Sequence, residues 1–226
     1  MCKPVVFFLF LSLLLVPSFA VAAVITTDTT WTGEVSVEKD VLVPEGVTLT
    51  LAPGTVVRFM PSDSTKTDPE FMSPLTEMMI RGSLVVDGRE DAPVTFLASE
   101  EKKSGWAGII VDNGKVILRS CIIRDAETGV DAISGSVSLS NAQLIKNRYG
   151  IIVHGRDTAV RAEATQVKEN DYGLFLLNGA KIDLQNTVIQ GNSKKDRYVA
   201  GTKQHQLPPK EYKAESGETN RVYRDE

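Results

Sequence analysis

Asn147-Arg-Tyr-Gly-Ile-Ile-Val153 and Asn170-Asp-Tyr-Gly-Leu-Phe-Leu176 share one pattern: an Asn, a Gly three residues later, then apolar residues. Gly108 and Gly129 open similar stretches upstream, so the unit recurs about every 22 residues, a period that marks repeat architectures. Sliding the chain by that period aligns Ile109, Val130, Ile151 and Leu174, and two residues later Val111, Ala132, Val153 and Leu176. A second strand aligns Val116, Val137, Val160 and Ile182 with Leu118, Leu139, Ala162 and Leu184. A third aligns Cys121, Ala142, Thr165 and Thr187 with Ile123, Leu144, Val167 and Ile189.

Alternate residues of a strand point to one side, so three strands per period with these aligned columns describe a parallel β-coil whose columns face inward. A leucine-rich repeat has a similar length. It needs Leu-x-x-Leu-x-Leu followed by Asn or Cys, which does not recur. Asn147, Asn170 and Asn192 fall at one corner, where Asn tolerates a left-handed backbone and bonds its neighbours' main chain. The expected fold is therefore all-β: a single-stranded right-handed parallel β-helix of about six rungs over residues 24–192.

The chain has 226 residues and a net charge of −4, with 42% hydrophobic but only 7% aromatic residues, as a core of small aliphatic side chains requires. That charge argues against a nucleic-acid partner. Residues 1–23 read as a signal peptide: Lys3, an apolar run from Val5 to Val16, then Ser18, Ala20, Ala22 and Ala23 at cleavage spacing. The expected location is periplasmic or extracellular, with membrane contact only during export. The mature chain keeps one cysteine, Cys121, in an inward column and so without a disulfide. Residues 60–79 read as a loop insertion, and residues 193–226 as a charged tail, disordered or strapped along the coil.

Val47-Thr-Leu-Thr-Leu-Ala-Pro-Gly-Thr-Val-Val-Arg-Phe59, Ala92-Pro-Val-Thr-Phe96 and Trp106-Ala-Gly-Ile109 resemble the entry rungs of bacterial exported right-handed parallel β-helix proteins. The two Asn-x-x-Gly units are similar to repeats of the carbohydrate-binding and sugar-hydrolase domain in the pectate-lyase-like superfamily, NosD-type proteins included. The resemblance spans residues 31–192. It implies the fold and an exported protein, but no single activity, since the superfamily mixes lyases, hydrolases, epimerases and non-catalytic surface proteins.

Function must sit on the outward residues. The second strand presents Lys115, Ser136, Ser138, Ser140, Arg161 and Lys181, which read as plain solvated surface. The first strand presents Ile110, Ile133, Ile152, Phe175 and Leu177, an apolar patch that soluble monomers rarely leave bare. Its cover is expected to be the insertion (Phe71, Met72, Leu75, Met78), the tail (Leu207, Tyr212, Val222, Tyr223), a protein partner, a second copy or an envelope glycan. The same face carries Asp112, Asp131 and His154 on consecutive rungs, the candidate catalytic set. Two carboxylates about 5 to 9.5 Å apart could cleave an acidic glycan. The family's catalytic motifs are missing, however: there is no Asn-Thr-Asp, no Asp-Asp pair and no Gly-His-Gly. With two histidines in the whole chain, neither a metal nor another cofactor is expected. The reading is a non-catalytic binding module, with a polysaccharide lyase or hydrolase as the alternative.

Overall fold

The computed structural model describes residues 24–61, 71–99 and 105–200, together with the backbone of Ser18–Ala20, Tyr212–Lys213 and Thr219–Asn220. The remainder of the signal segment, much of the insertion and most of the tail lie outside the described residues. The strands build three parallel sheets around one core, with no helix among the described residues. Sheet I holds Val41–Val43, Glu77–Ile80, Trp106–Val111, Ala126–Ala132, Tyr149–His154, Tyr172–Leu177 and Lys195–Val199. Sheet II holds Thr29–Trp31, Thr48–Leu51, Ser83–Asp87, Gly114–Arg119, Gly135–Ser140, Ala159–Glu163 and Asp183–Gln185. Sheet III runs from Ser18–Ala20 through Glu34–Val37, Val56–Phe59, Val94–Ala98, Cys121–Arg124, Gln143–Ile145 and Gln166–Lys168 to Val188–Ile189. The chain visits I, II and III in turn, which is the expected β-helix.

The aligned columns become the core. Ile109 pairs with Val130, Val130 with Ile151 and Ile151 with Leu174, and all four are fully buried. Cys121 is buried among them, and burial pushes its thiol up to about 12. It is a core residue and a poor nucleophile. Trp106 also faces inward, stacked 3.9 Å from Phe59, and its indole N–H donates to the Arg124 carbonyl at 3.0 Å.

Four details depart from the sequence reading. Glu77–Ile80 is not loop but a strand of sheet I, so the insertion closes before it. Met78 therefore points into the core and does not cover the outer face. The columns also do not stop at Asn192: Lys195–Val199 pairs with Tyr172–Leu177, and the tail begins after it. With these strands sheets I and II each reach seven, in keeping with the expected coil of about six rungs. Finally, Gly108 pairs with Thr128 rather than Gly129, because the ladder slips by one residue before Ile109.

The corner before sheet I shows how one rung constrains the next. The left-handed residues there are Asp125, Lys146 and Glu169, not the asparagines that follow. The asparagines instead form a ladder. Asn147 Nδ2 donates to the Ile123 carbonyl and to Asn170 Oδ1, each at 3.1 Å. Asn170 Nδ2 does the same with the Leu144 carbonyl at 3.0 Å and Asn192 Oδ1 at 2.9 Å. The ladder ends on Asp196, whose Oδ1 accepts from Asn192 Nδ2 at 2.8 Å and Asn192 N at 3.0 Å. Those two bonds hold the Asp196 carboxyl below its usual range. Gly150 and Gly173 are required beneath the ladder: a Cβ on Gly150 would lie 2.6 Å from the Gly173 carbonyl oxygen, and one on Gly173 2.5 Å from that of Asp196.

Asn170→Ala removes three donated bonds and leaves the Leu144 carbonyl and Asn192 Oδ1 short of a partner. Each such group costs about 1–3 kcal/mol. Urea unfolding is expected to show a loss within that range or above it, while Gln190→Ala, at an exposed position with an ordinary backbone conformation, changes stability by less than about 1 kcal/mol.

Candidate functional site

On the outer face of sheet I the register runs Leu42, Met79, Ile110, Asp131, Ile152, Phe175, Tyr198. The next outward position carries Asp112, Ile133, His154 and Leu177. Its two halves differ in what lies over them.

The half toward the chain's start is covered by its own insertion. Leu42, Met79 and Ile110 are buried, with Phe71 and Ile133 packed against them. Glu77 fixes that cover: fully buried in an outward position, its Oε1 accepts from Met72 N at 2.9 Å and its Oε2 from Ser73 N at 2.7 Å. A carboxylate takes both oxygens' worth of hydrogen bonds from two successive amides, so the returning chain is held down on the face. Of the residues expected to cover it, Phe71 does so, whereas Met72 is 59% exposed and points away.

The other half is open among the described residues. Ile133, Ile152, Phe175 and Leu177 are each only half-buried. Beside them stand four rings. Tyr149 stacks on Tyr172 with centroids 5.2 Å apart, Phe175 stacks on Tyr198 at 4.6 Å, and Phe175 meets both Tyr149 and Tyr172 edge-on. Cations sit over this cluster: Arg148 over Tyr149, Lys194 over Tyr172 and Lys195 over Tyr198, each 5.1 to 5.4 Å from its ring centroid. The three tyrosines were missed in the sequence. Tyr149 and Tyr172 open their strands, ahead of the alternating columns that begin after the glycine, and Tyr198 belongs to a rung assigned to the tail.

The candidate catalytic set divides into two separate networks. Asp131 Oδ1 lies 2.9 Å from His154 Nε2, across one rung. That hydrogen bond is the largest effect and raises the His154 pKa above 6.5; burial comes next and lowers it, and the Asp131 charge adds a smaller rise. Asp112 belongs elsewhere: Oδ2 accepts from Arg81 Nε at 3.1 Å, and Oδ1 from Ser134 Oγ and Asn113 Nδ2, each at 3.2 Å. Two carboxylates acting on one glycosidic bond must both face it. Here each is turned toward its own basic partner. No group of three or more His, Cys, Asp or Glu able to hold a metal ion occurs among the described residues.

No protein-family model matches the chain, and no curated protein is significantly similar to it in sequence.

Two measurements check this geometry. Glu77→Ala releases the clasp on Met72 and Ser73, and is expected to raise hydrophobic-dye fluorescence without loss of β-sheet circular dichroism; an unchanged signal would mean that Phe71 stays seated without it. The His154–Asp131 pair predicts a pH dependence. His154 binds its proton more tightly folded than unfolded, so the pair stabilises the coil fully below pH 6.5 and the contribution fades as pH rises through the higher folded value. Melting temperatures of the wild type and Asp131→Asn should therefore differ at pH 5.5 more than at about pH 8.5.

Proposed function

We propose that this protein is an exported, non-catalytic β-helix module that docks a protein partner on the open half of sheet I's outer face. One observation carries the reading. The apolar column is buried under Phe71 at one end, and at the other it runs into the Tyr149, Tyr172, Phe175 and Tyr198 cluster with no cover among the described residues. Tyrosine and arginine around a buried aromatic anchor is the composition of binding hot spots.

A protein suits this face better than a glycan. A sugar ring stacks on a free aromatic face, whereas these rings meet one another and lie under Arg148, Lys194 and Lys195. What they leave outward is a mixed apolar and cationic relief, matched by aliphatic side chains with carboxylates at the margin. Export is supported by the Lys3, apolar and small-residue order of the leading segment. Membership of the pectate-lyase-like superfamily rests on the entry-rung and Asn-x-x-Gly resemblance.

Polysaccharide cleavage is the second reading, and it has the Asp131–His154 pair to support it. Against it stand the divided carboxylates and the absence of the family's catalytic motifs.

A photo-crosslinking amino acid at Ile152 is expected to give a discrete protein adduct in the native host, lost when Phe175→Glu is added and absent when the crosslinker replaces Gln143 on sheet III. Light scattering of the purified protein should give a monomer. A dimer broken by Phe175→Glu would reassign the face to self-association. Release of reducing ends or unsaturated products from acidic glycans, abolished by Asp131→Asn, would overturn the non-catalytic reading.

A further inference from the structure

The outer face of sheet II, which looks like plain solvated surface in the sequence, is concave. Gly135–Ser140 puts Ser136, Ser138 and Ser140 outward, between a rung bearing Lys115, Ile117 and Arg119 and one bearing Ala159, Arg161 and Glu163. Three small side chains between Lys115, Ile117 and Arg119 on one side and Arg161 and Glu163 on the other make a trough along the strand, open at Ala159, and the hollow above it measures about 820 Å³. Lys181 and Asp183 extend its far wall.

Three features restrict what fits there. The charge is segregated: Lys115, Arg119, Arg161 and Lys181 line the trough with Asp183 as the lone acid, on a chain whose net charge is −4. Arg119 has an exposed acidic partner in Asp87 and Arg161 has two, Glu163 and Asp183, but Lys115 and Lys181 have none among the described residues. The lining is largely aliphatic, through Ile117, Ile182 and the stems of the long cations. The floor hydroxyls have no hydrogen-bond partner among the described residues, and they recur at every second residue of a strand, about 6.6 Å apart. An extended peptide presents its main-chain amides to one side with that same two-residue repeat.

We propose that this trough is a docking site for an extended acidic peptide segment of a partner protein. The three serines hydrogen-bond alternate main-chain amides of the segment, Lys115 and Lys181 bind carboxylates at its flanks, and Ile117 takes an apolar side chain between them. This is not strand addition: Gly135–Ser140 is paired on both edges, so the trough offers side chains rather than a free backbone edge. The inference is independent of the reading of sheet I, and so is its test.

The probe is a fluorescein-labelled peptide of alternating Glu and Val, six residues long, titrated with the full chain by fluorescence polarisation. Binding should weaken as salt rises. Lys115→Glu with Lys181→Glu should weaken it at least tenfold, Ser138→Phe should do the same by filling the floor, and the double Lys→Arg variant should keep it. Phe175→Glu should leave it unchanged, which separates this site from the face of sheet I. All substitutions are outward, and unchanged melting curves confirm the fold. Three outcomes overturn the proposal: no saturable binding, equal binding of a Lys–Val peptide, or tighter binding of a triuronate carrying the same three acidic groups, which would assign the trough to acidic glycans.

Discussion

A side chain inside a parallel coil is buried by its counterparts one rung above and one rung below, about 4.8 Å away. Everything else in this protein depends on that contact. It forces like residues into columns, because a change of size in one rung leaves a void or a clash in two others. It explains a core of valine, leucine, isoleucine and alanine with few rings, and the burial of Cys121 in a column with Ala142. Where the columns admit rings, they come together: Phe59 and Phe96 both stack on Trp106.

The corners obey the same rule in polar form. Asp125, Lys146 and Glu169 are held in a left-handed backbone that costs roughly 1–2 kcal/mol for a residue with a side chain. The asparagine after two of them offsets that strain by bonding the rung behind and the rung ahead. Asp196 completes the run with a carboxylate, whose Oδ1 accepts both Asn192 bonds and which, having no donor of its own, needs no further rung.

Because the inside is committed to packing, the outside is where the rungs are free to differ. Sheet I uses that freedom to build an apolar face, half covered by the chain itself and half continuing into paired aromatic rings. Sheet II uses it to place small hydroxyls between long cations. Both surfaces arise from one mechanism: stacking in register turns a residue choice in each rung into a stripe, and a break in the stripe into a recess or an edge. The coil supplies a rigid spacing, and the function lies in what is mounted on it.

The β-helix, its register and the inward columns were legible in the amino-acid order, since burial on both sides of each rung leaves a periodic aliphatic signal. The open half of the sheet I face was legible in Ile152, Phe175 and Leu177 for the same reason. Three things required the tertiary structure. The strand Glu77–Ile80 reads as loop because it follows an aperiodic insertion, and its partners lie 37 and 31 residues away, at Val41–Val43 and Trp106–Val111. The split of Asp112 from Asp131 turns on Arg81, which reaches Asp112 across a rung and has no counterpart in any repeat. The trough of sheet II depends on differences in side-chain length between neighbouring rungs, whereas a column of polar residues looks uniformly solvated. Periodicity reports which side of a strand a residue faces; only the folded chain decides which outward neighbours meet.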